Sequence, residues 1–411
     1  MNPGLPPVAP SRGPVIAVVA ASTVALIGAS MSGAIFPVIA PRLARDLDVP
    51  ASLIGYQVSI TYGTAALTSL VLGSLIARHG ACRITQLGLA LCITAMFLTM
   101  TASVPAIVIA SILIGAGTSA MNPAAAHLLY RFSPPRNRNL IFSIKQTGVP
   151  MGWLLIALTA PGITLAFGWR WALALVIVIA MTVLLALQRV RTQWDGDRDR
   201  DSTNKPSWFA GLHLIWRMRS LRWMAIAAFC YTFVQLCLGT FLVTMMVEEA
   251  GYTLVAAGVL LSLTQAAGVA GRVFWGWLTD RIGDGFSMLL ALNLVMIVCC
   301  ALTATISPQW PAFALALLFF AFGATAIGWN GIFLAEVVKN SPHGMVSVVT
   351  AGASLWSYAG ILTGPAMFST LYRWTGSYTV TFGWLTVTAA LGLLFITLAR
   401  ASSRAGGRRI I

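Results

Sequence analysis

The sequence predicts an all-α integral membrane protein with twelve transmembrane helices in two pseudo-symmetric six-helix halves. Of its 411 residues, 58% are hydrophobic and only 9% are charged, whereas a soluble globular domain carries about 25% charged residues. Twelve apolar stretches have about the 20 residues that a helix needs to cross a bilayer. A motif at the end of the second stretch returns 203 residues later in the eighth, and such internal repeats are typical of transporters.

The predicted spans fall into two groups of six. The first span is too long for the 7–15-residue apolar region of a signal peptide, and more spans follow it, so we interpret it as a transmembrane helix. The spans of the first half are 14–40, 53–77, 84–103, 105–130, 140–166 and 171–189. The spans of the second half are 223–247, 254–278, 286–306, 309–335, 346–371 and 379–400.

A charged segment rich in turn-forming residues separates the halves. It covers 189–222, between an N-terminal half over 1–188 and a C-terminal half over 223–400, and a basic tail follows at 401–411. Asp195 and Asp197 alternate here with other polar residues, but the spacing of a calcium-binding loop is incomplete and its terminal Glu is missing. We therefore expect a solvated cytoplasmic linker.

The basic residues predict the orientation. With the N-terminus in the cytoplasm, 20 of the 26 Lys and Arg fall in cytoplasmic segments and four in external ones. Because Lys and Arg are retained on the cytoplasmic side, we expect a multi-pass protein of the cell (inner or plasma) membrane with both termini cytoplasmic. This topology and the anionic inner leaflet explain the net charge of +15 without a nucleic-acid partner.

Two cations, Lys145 and Arg272, lie inside predicted spans that hold no acidic residue to neutralise them. A charge at membrane depth indicates a functional site by default, and the simplest missing partner is an anionic substrate. Arg272 lies about six residues from the inner end of its span, roughly 9 Å deep, and helical side chains lean toward the helix N-terminus, here away from that interface. It shares a helix face with Gln265. The alternative is a structural arginine bonded to helix carbonyls or to Asp280.

Lys145 lies about five residues into the fifth predicted span, and its side chain can extend back to the cytoplasmic interface. Against that alternative, Gly148 and Gly152 share its face, and small residues allow helices to approach closely in membranes. This face is therefore expected to pack inward, which favours a role for Lys145 in substrate binding or gating.

Further polar residues in the spans could line a cavity, although each alone is more often a helix–helix contact. His127 could titrate near neutral pH and carry a proton, with a structural interfacial histidine as the alternative. The six cysteines show neither zinc nor redox spacing, so we expect no metal and no cofactor. The other candidate substrate-binding residues are Gln146, Tyr56, Asn122, Tyr231, Gln235, Asn330 and Trp356.

The repeated motif resembles the loop pattern G-x-L-x-D-R-x-G-R-R of the major facilitator superfamily, and the resemblance covers essentially the whole chain. In the first copy Ala77 replaces the family's usual Asp, whereas the second copy is well preserved. The resemblance implies two halves that alternate in access around a central site, with this loop helping to hold one conformation. The matching residues are Gly73, Arg78 and Gly80 in the first copy and Gly276, Asp280, Arg281 and Gly283 in the second.

The sequence GRVFWGWLTDRIG around Arg272 also resembles the monocarboxylate and oxalate–formate branches, in which a basic residue of the eighth span contacts the carboxylate. We therefore expect a monomeric, non-enzymatic transporter of a small organic anion, driven by proton symport or anion exchange, with facilitated transport as a third alternative. The alternative is a proton-driven drug or siderophore exporter, whose glycine-rich pattern the fifth span matches poorly. A membrane enzyme would need clustered catalytic groups, which this sequence does not offer, and a transporter-derived sensor would be marked by a fused signalling domain, which this sequence does not show.

Overall fold

The computed structural model describes residues 12–132, 141, 144–197, 213, 215–342 and 346–407. These residues form helices joined by short turns, and they contain no β-strand. The centre of the predicted linker, 198–212, and the last four residues of the predicted tail lie outside the described residues. The helices on either side of the linker run further than predicted, to Trp194 and from Arg219.

Bounds are defined for seven α-helices in each half of the described chain. Those of the first are α1 Arg12–Leu47, α2 Ile54–His79, α3 Ala81–Thr99, α4 Val104–Ser119, α5 Met121–Phe132, α6 Gly148–Phe167 and α7 Trp169–Trp194. Those of the second are α8 Arg219–Glu248, α9 Leu254–Ile282, α10 Gly285–Thr303, α11 Ala312–Ala326, α12 Asn330–Lys339, α13 Val346–Thr375 and α14 Tyr378–Gly407.

The described residues contain ten helical stretches that are long and apolar enough to cross a membrane. In that set α4 and α5 form one stretch, 104–132, and α11 and α12 form another, 312–339. The two further long helices, α2 with 26 residues and α13 with 30, exceed the ~20 residues that a bilayer requires. The predicted all-helical membrane fold is confirmed, and these lengths fit the predicted total of twelve.

Two predicted spans are interrupted at matching positions. The fourth turns at Ala120, between α4 and α5, and the tenth turns at 327–329, between α11 and α12. Asn122 and Asn330, 208 positions apart, follow the two interruptions. Pro123 suits the first turn of α5 because the N–H groups there have no partner within the helix, so the missing N–H of proline costs no hydrogen bond. Interrupted helices at corresponding positions of the two halves are typical of transporter binding sites.

The internal repeat is also present in the backbone. Left-handed φ angles occur at Asp48 (+53°) and Gly251 (+72°), which are 203 positions apart, at the turn before α2 and before α9. They recur at Gly80 (+94°) and Gly283 (+75°), again 203 apart, after α2 and after α9. Glycine adopts this conformation without the steric penalty of a Cβ. The motif glycines therefore take a positive φ at matching positions of the two halves, and Gly283 alone of the two has the αL conformation.

The first residues of α1 and the last of α14 lie at the same end of the bundle, which we call the basic end. At this end Ser220 Oγ, at the start of α8, donates a hydrogen bond of 3.3 Å to the carbonyl oxygen of Ala399, near the end of α14. The other end is called the opposite end. The basic end carries Arg78, Arg83, Arg131, Arg191, Arg281 and Arg400.

The two halves pack together toward the opposite end. Tyr56 on α2 and Thr370 on α13 share a hydrogen bond of 2.8 Å between their hydroxyls. Nearby, Ser369 Oγ donates to the carbonyl oxygen of Ser52 at 2.5 Å. Between α9 and α6, Ser262 Oγ donates to the carbonyl oxygen of Leu154 at 3.3 Å.

The same helix faces are exposed closer to the basic end. Gly63 of α2 packs on Leu362 of α13, with an added Cβ only 2.8 Å from Leu362 Cδ1, but Leu67, one turn further, is 70% exposed. On α9, Val273 lies on the face of Ser262, three turns later, and is 71% exposed. The halves therefore separate toward the basic end.

Asp195 corrects one expectation about the linker. It was expected to be solvated, but it is 6% exposed and accepts backbone N–H bonds from Cys82 at 2.7 Å and Arg83 at 3.0 Å. The first N–H groups of a helix lack intrahelical partners, and Asp195 supplies acceptors for α3. Burial raises the pKa of the Asp195 carboxyl, and the two N–H bonds oppose this shift.

Candidate functional site

A cavity of about 60 Å³ lies between the two halves. It is formed by α2 and α6 from the first half, and by α8, α9 and the turn after α11 from the second. Its lining residues are Tyr62, Val149, Pro150, Trp153, Gln235, Leu236, Gly239, Gln265, Arg272 and Ile327.

Arg272 is the cation of this cavity. Its Nε donates a hydrogen bond of 3.1 Å to the carbonyl oxygen of Ile327, at the interruption between α11 and α12. Two glycines of α9 allow this approach: a Cβ at Gly268 would lie 2.6 Å from Ile327 Cβ, and a Cβ at Gly271 would lie 2.6 Å from the carbonyl oxygen of Ala324. Small residues bring membrane helices into such close contact.

The guanidinium of Arg272 has no acidic partner within the described part of the chain. The carbonyl contact expected for a structural arginine is present, but it uses only Nε. Asp280, the other expected structural partner, is exposed and forms no ion pair with a described residue. The remaining guanidinium N–H groups therefore have no protein anion to neutralise them.

Two glutamines place amide groups beside Arg272. Gln265 is 6% exposed, lines the cavity and makes no hydrogen bond to another described residue. Gln235 Oε1 accepts hydrogen bonds from Trp329 Nε1 at 3.2 Å and from Asn330 Nδ2 at 3.4 Å. Because its oxygen is occupied, the amide of Gln235 has N–H donors left for a ligand.

The cavity wall is rich in hydrogen-bond donors and, among the described residues, has no acidic side chain. Its two aromatic residues, Tyr62 and Trp153, face it from the first half and supply apolar surface with a polar edge. Sequence reasoning missed both, because aromatic side chains within apolar spans more often pack on lipid or in the core. Trp153 directly follows Gly152 in the chain, and this position beside the glycine face of α6 could have identified it as a residue that faces another helix.

Lys145 forms a second cluster, within the first half. Its side chain is 3% exposed, and Nζ donates to Asn122 Oδ1 and, at 3.2 Å, to Gln146 Oε1. The glycine face of α6 packs on α1, where a Cβ at Gly152 would lie 2.7 Å from the carbonyl oxygen of Ile27. Lys145 is not among the residues that line the central cavity, and the described residues offer it neutral partners without an ion pair.

Both unpaired cations are therefore bonded to an interrupted helix. Lys145 contacts Asn122, the second residue of α5, and Arg272 contacts Ile327, the first residue after α11. Interrupted helices in membrane proteins expose polar groups only where these line a cavity or are buried in protein. The cations satisfy acceptors at these two points, one in each half.

Four other candidate residues are not among those that line the cavity. Tyr56 is at the opposite end, and the Tyr231 hydroxyl donates to the carbonyl oxygen of Leu289 at 2.9 Å in the core of the second half. Trp356 stacks on Trp216 with ring centroids 5.5 Å apart. His127 Nε2 lies 2.8 Å from Asp197 Oδ2 at the basic end.

The loop motif has matching positive φ angles in the two halves but forms no ion pair through its arginines to described residues. Gly80 and Gly283 provide the positive φ angles. Arg281 instead lies over the ring of Trp277, 4.4 Å from its centroid. Of the other motif residues, Gly276 would have no atom within 4 Å of an added Cβ. Gly73 lies within α2, and Arg78 is exposed in the last turn of the same helix.

Comparison with solved structures shows the fold. The chain superimposes on a peptide transporter POT solved in complex with sulfate, with a TM-score of 0.77 and 15% identity, covering 94% of this chain and 95% of that one. A bacterial homologue of the human lysosomal transporter Spinster, in an inward-facing and unoccupied conformation, superimposes with a TM-score of 0.73 and 15% identity, covering 96% of this chain and 98% of that one. The Escherichia coli fucose:proton symporter superimposes with a TM-score of 0.60 and 16% identity, covering 94% of this chain and 99% of that one.

The sequence comparisons show the family. An uncharacterised MFS-type transporter of Mycobacterium tuberculosis (strain CDC 1551 / Oshkosh) is 22% identical over 305 residues, which are 73% of this chain and 66% of that protein. The chain thus spans just under two thirds of the length of that relative. The pattern of the Major Facilitator Superfamily matches residues 21–365. The chain belongs to the Major Facilitator Superfamily of membrane transporters.

Proposed function

We propose that the protein is a secondary transporter that moves a small organic anion, a carboxylate, across the cell membrane by alternating access. The observation that carries this proposal is the guanidinium of Arg272, which lines the cavity between the halves without an acidic partner among the described residues. A guanidinium binds a carboxylate through two parallel charge-assisted hydrogen bonds. A carboxylate would supply the negative charge that the cavity wall lacks.

The neighbouring groups support an anion with an apolar body. The amides of Gln265 and Gln235 offer donors to further oxygen atoms, whereas Trp153 and Tyr62 offer apolar surface. In this proposal Lys145 has a separate role: its bonds to Asn122 and Gln146 rearrange when α5 and α6 move. Because none of the described residues that line the cavity is acidic, a cation substrate or a cationic drug is disfavoured.

The arrangement of the halves supports alternating access. Hydrogen bonds close the opposite end, while the matching faces of α2 and α9 are exposed toward the basic end. If the basic end faces the cytoplasm, as the distribution of Lys and Arg predicts, this conformation is the inward-facing one. Proton symport and anion exchange are both compatible with a site that holds one uncompensated arginine.

The test is uptake of labelled mono- and dicarboxylates into proteoliposomes that contain the purified full-length protein. Arg272→Gln should reduce uptake of the preferred anion about 10- to 150-fold, because a hydrogen bond to a charged group contributes about 1.5–3 kcal/mol. Arg170→Gln is a matched control: Arg170 Nε also donates to a carbonyl oxygen at 3.1 Å, that of Met100, but at an exposed position. Its uptake should equal that of the wild type.

Three outcomes would contradict the proposal. If no carboxylate is bound or transported, the substrate class is wrong. If Arg272→Gln transports normally, Arg272 is not the anion-binding group, and if Arg170→Gln fails equally, the loss reflects folding.

Lys145→Gln should slow uptake with little change in the Kd of the anion. A pH jump distinguishes the two driving modes, since only symport responds to an imposed proton gradient in vesicles without internal anion.

A further inference from the structure

A second, larger cavity lies on the flank of the first half, away from the interface between the halves. This flank groove has a volume of about 500 Å³ and runs between α2, α3 and α7. Both α3 and α7 pack on helices of their own half. The groove therefore opens toward the surroundings of the bundle and has no part in the transport site described above.

The polarity of the flank groove changes along the membrane normal. His79 and Arg83 line its mouth at the basic end, in the last turn of α2 and the first turn of α3. The wall becomes apolar further in, where Leu87 and Leu185 are 52% and 59% exposed. Ala90 lines the inner part, about 10 Å from Arg83 at 1.5 Å per residue.

A buried amide bridge forms the floor between these two regions. Gln86 is 3% exposed, and its Nε2 donates to the carbonyl oxygen of Leu184 and to Gln188 Oε1, both at 3.1 Å. These bonds join α3 to α7 below the mouth. The groove is thus a fixed feature of the first half that has a cationic mouth and an apolar interior.

The guanidinium at the mouth forms no ion pair with a described residue. The Arg83 side chain is exposed, and its Nη1 donates one hydrogen bond of 3.4 Å to Gln86 Oε1. In the second half, by contrast, Arg400 of α14 pairs with Asp284 at 2.6 Å, beside the start of α10. At the start of α3 the Asp195 carboxylate binds the backbone N–H of Arg83, whereas the Arg83 side chain is left without an ion pair to a described residue.

We infer that the flank groove binds one anionic phospholipid, with its phosphate on Arg83 beside His79 and one acyl chain along the apolar interior. Basic pockets between transmembrane helices, at the interface with an anionic leaflet, bind lipid headgroups in this way. The separation of charge and apolar wall matches the headgroup and chain of a lipid. A soluble phosphate would use the mouth alone and leave the exposed leucines uncovered.

The test is native mass spectrometry of the full-length protein in detergent, titrated with dioleoyl phosphatidylglycerol and, separately, with dioleoyl phosphatidylcholine. Arg83→Gln should weaken binding of phosphatidylglycerol about fivefold, which is the ~1 kcal/mol that one basic side chain contributes at an anionic surface. Arg78→Gln removes the same charge from the same end but does not line the groove, so it should change binding less than twofold. Ala90→Phe, which fills the interior, should weaken binding while the mouth stays intact.

Each of four results would overturn the inference. Equal losses in Arg83→Gln and Arg78→Gln would mean diffuse attraction to the basic end. Equal binding of phosphatidylcholine and phosphatidylglycerol would mean that the headgroup charge is not recognised. Displacement of the lipid by millimolar glycerol 3-phosphate would mean a soluble phosphate site, and undiminished binding by Ala90→Phe would mean that the acyl chain lies elsewhere. Arg83→Lys, which keeps the charge, should retain binding and serves as the folding control.

Discussion

The contact between Gly258 and α6 holds the two halves together at the opposite end, and we expect Gly258→Ala to weaken it. A Cβ at Gly258 would lie 2.5 Å from the carbonyl oxygen of Ala157 and 2.7 Å from Pro161 Cγ. The carbonyl belongs to a helix backbone and cannot rotate away, so the helices must shift. Overpacking of this kind costs about 1–3 kcal/mol.

Only the conformation in which the halves meet at the opposite end bears this cost. The equilibrium between that conformation and one open at the opposite end should therefore shift about 5- to 150-fold toward the open one. Gly162→Ala is the matched control, since a Cβ at Gly162 meets nothing within 4 Å. It lies on α6, next to Pro161.

The shift can be measured by double electron–electron resonance between nitroxide labels on Leu53→Cys and Trp374→Cys. These positions are 38% and 82% exposed at the opposite end, and the six natural cysteines are buried, which limits unwanted labelling. Gly258→Ala should add a longer-distance population that is weak in the parent and in Gly162→Ala. Identical distance distributions in all three proteins would refute the reasoning.

Two further predictions concern acidic groups at the basic end. Asp195→Ala removes the acceptor of both N–H hydrogen bonds at the start of α3, so it should lower the free energy of unfolding by about 0.5–2 kcal/mol. Asp195→Asn keeps one acceptor oxygen and should recover part of this loss. An unchanged Tm of the alanine variant would contradict the prediction. Burial would raise the pKa of Asp284, but hydrogen bonds from Ser287 and the charge of Arg400 lower it overall. Its stabilising contribution is therefore present above the unfolded pKa of about 3.9 and lost as the pH falls below that value toward the folded pKa. The Tm of Asp284→Asn should therefore drop less between pH 6 and pH 3 than the Tm of the wild type. Parallel curves of Tm against pH for the two proteins would show that Asp284 contributes nothing.

The succession of helices was predictable because hydropathy acts along the chain. Predicted spans such as 53–77 and 254–278 correspond to Ile54–His79 and Leu254–Ile282. The interruptions at Ala120 and 327–329 were not predicted, since the apolar run is continuous across both. Hydropathy measures side chains, whereas an interruption is a property of the backbone and of what satisfies its carbonyls.

The candidate site was predictable only in part. Arg272, Gln265 and Gln235 were singled out from charge and helical spacing, and the structure brings them together around one cavity. Lys145 was singled out on the same grounds but lies in a separate cluster with Asn122. Helical spacing defines which residues share a face, but it does not define which neighbouring helix that face meets.

Composition and the order of apolar spans determined by themselves that this chain is a helical membrane protein with two repeated halves, because a bilayer admits few other solutions for such a sequence. The isolated cations Lys145 and Arg272 were equally evident, since a charge within an apolar span stands out without any structure. Only the tertiary structure decided what each cation contacts, that Asp195 caps a helix 113 residues earlier, and at which end the halves meet. These are contacts between segments far apart in sequence, and they depend on helix packing that no local pattern encodes.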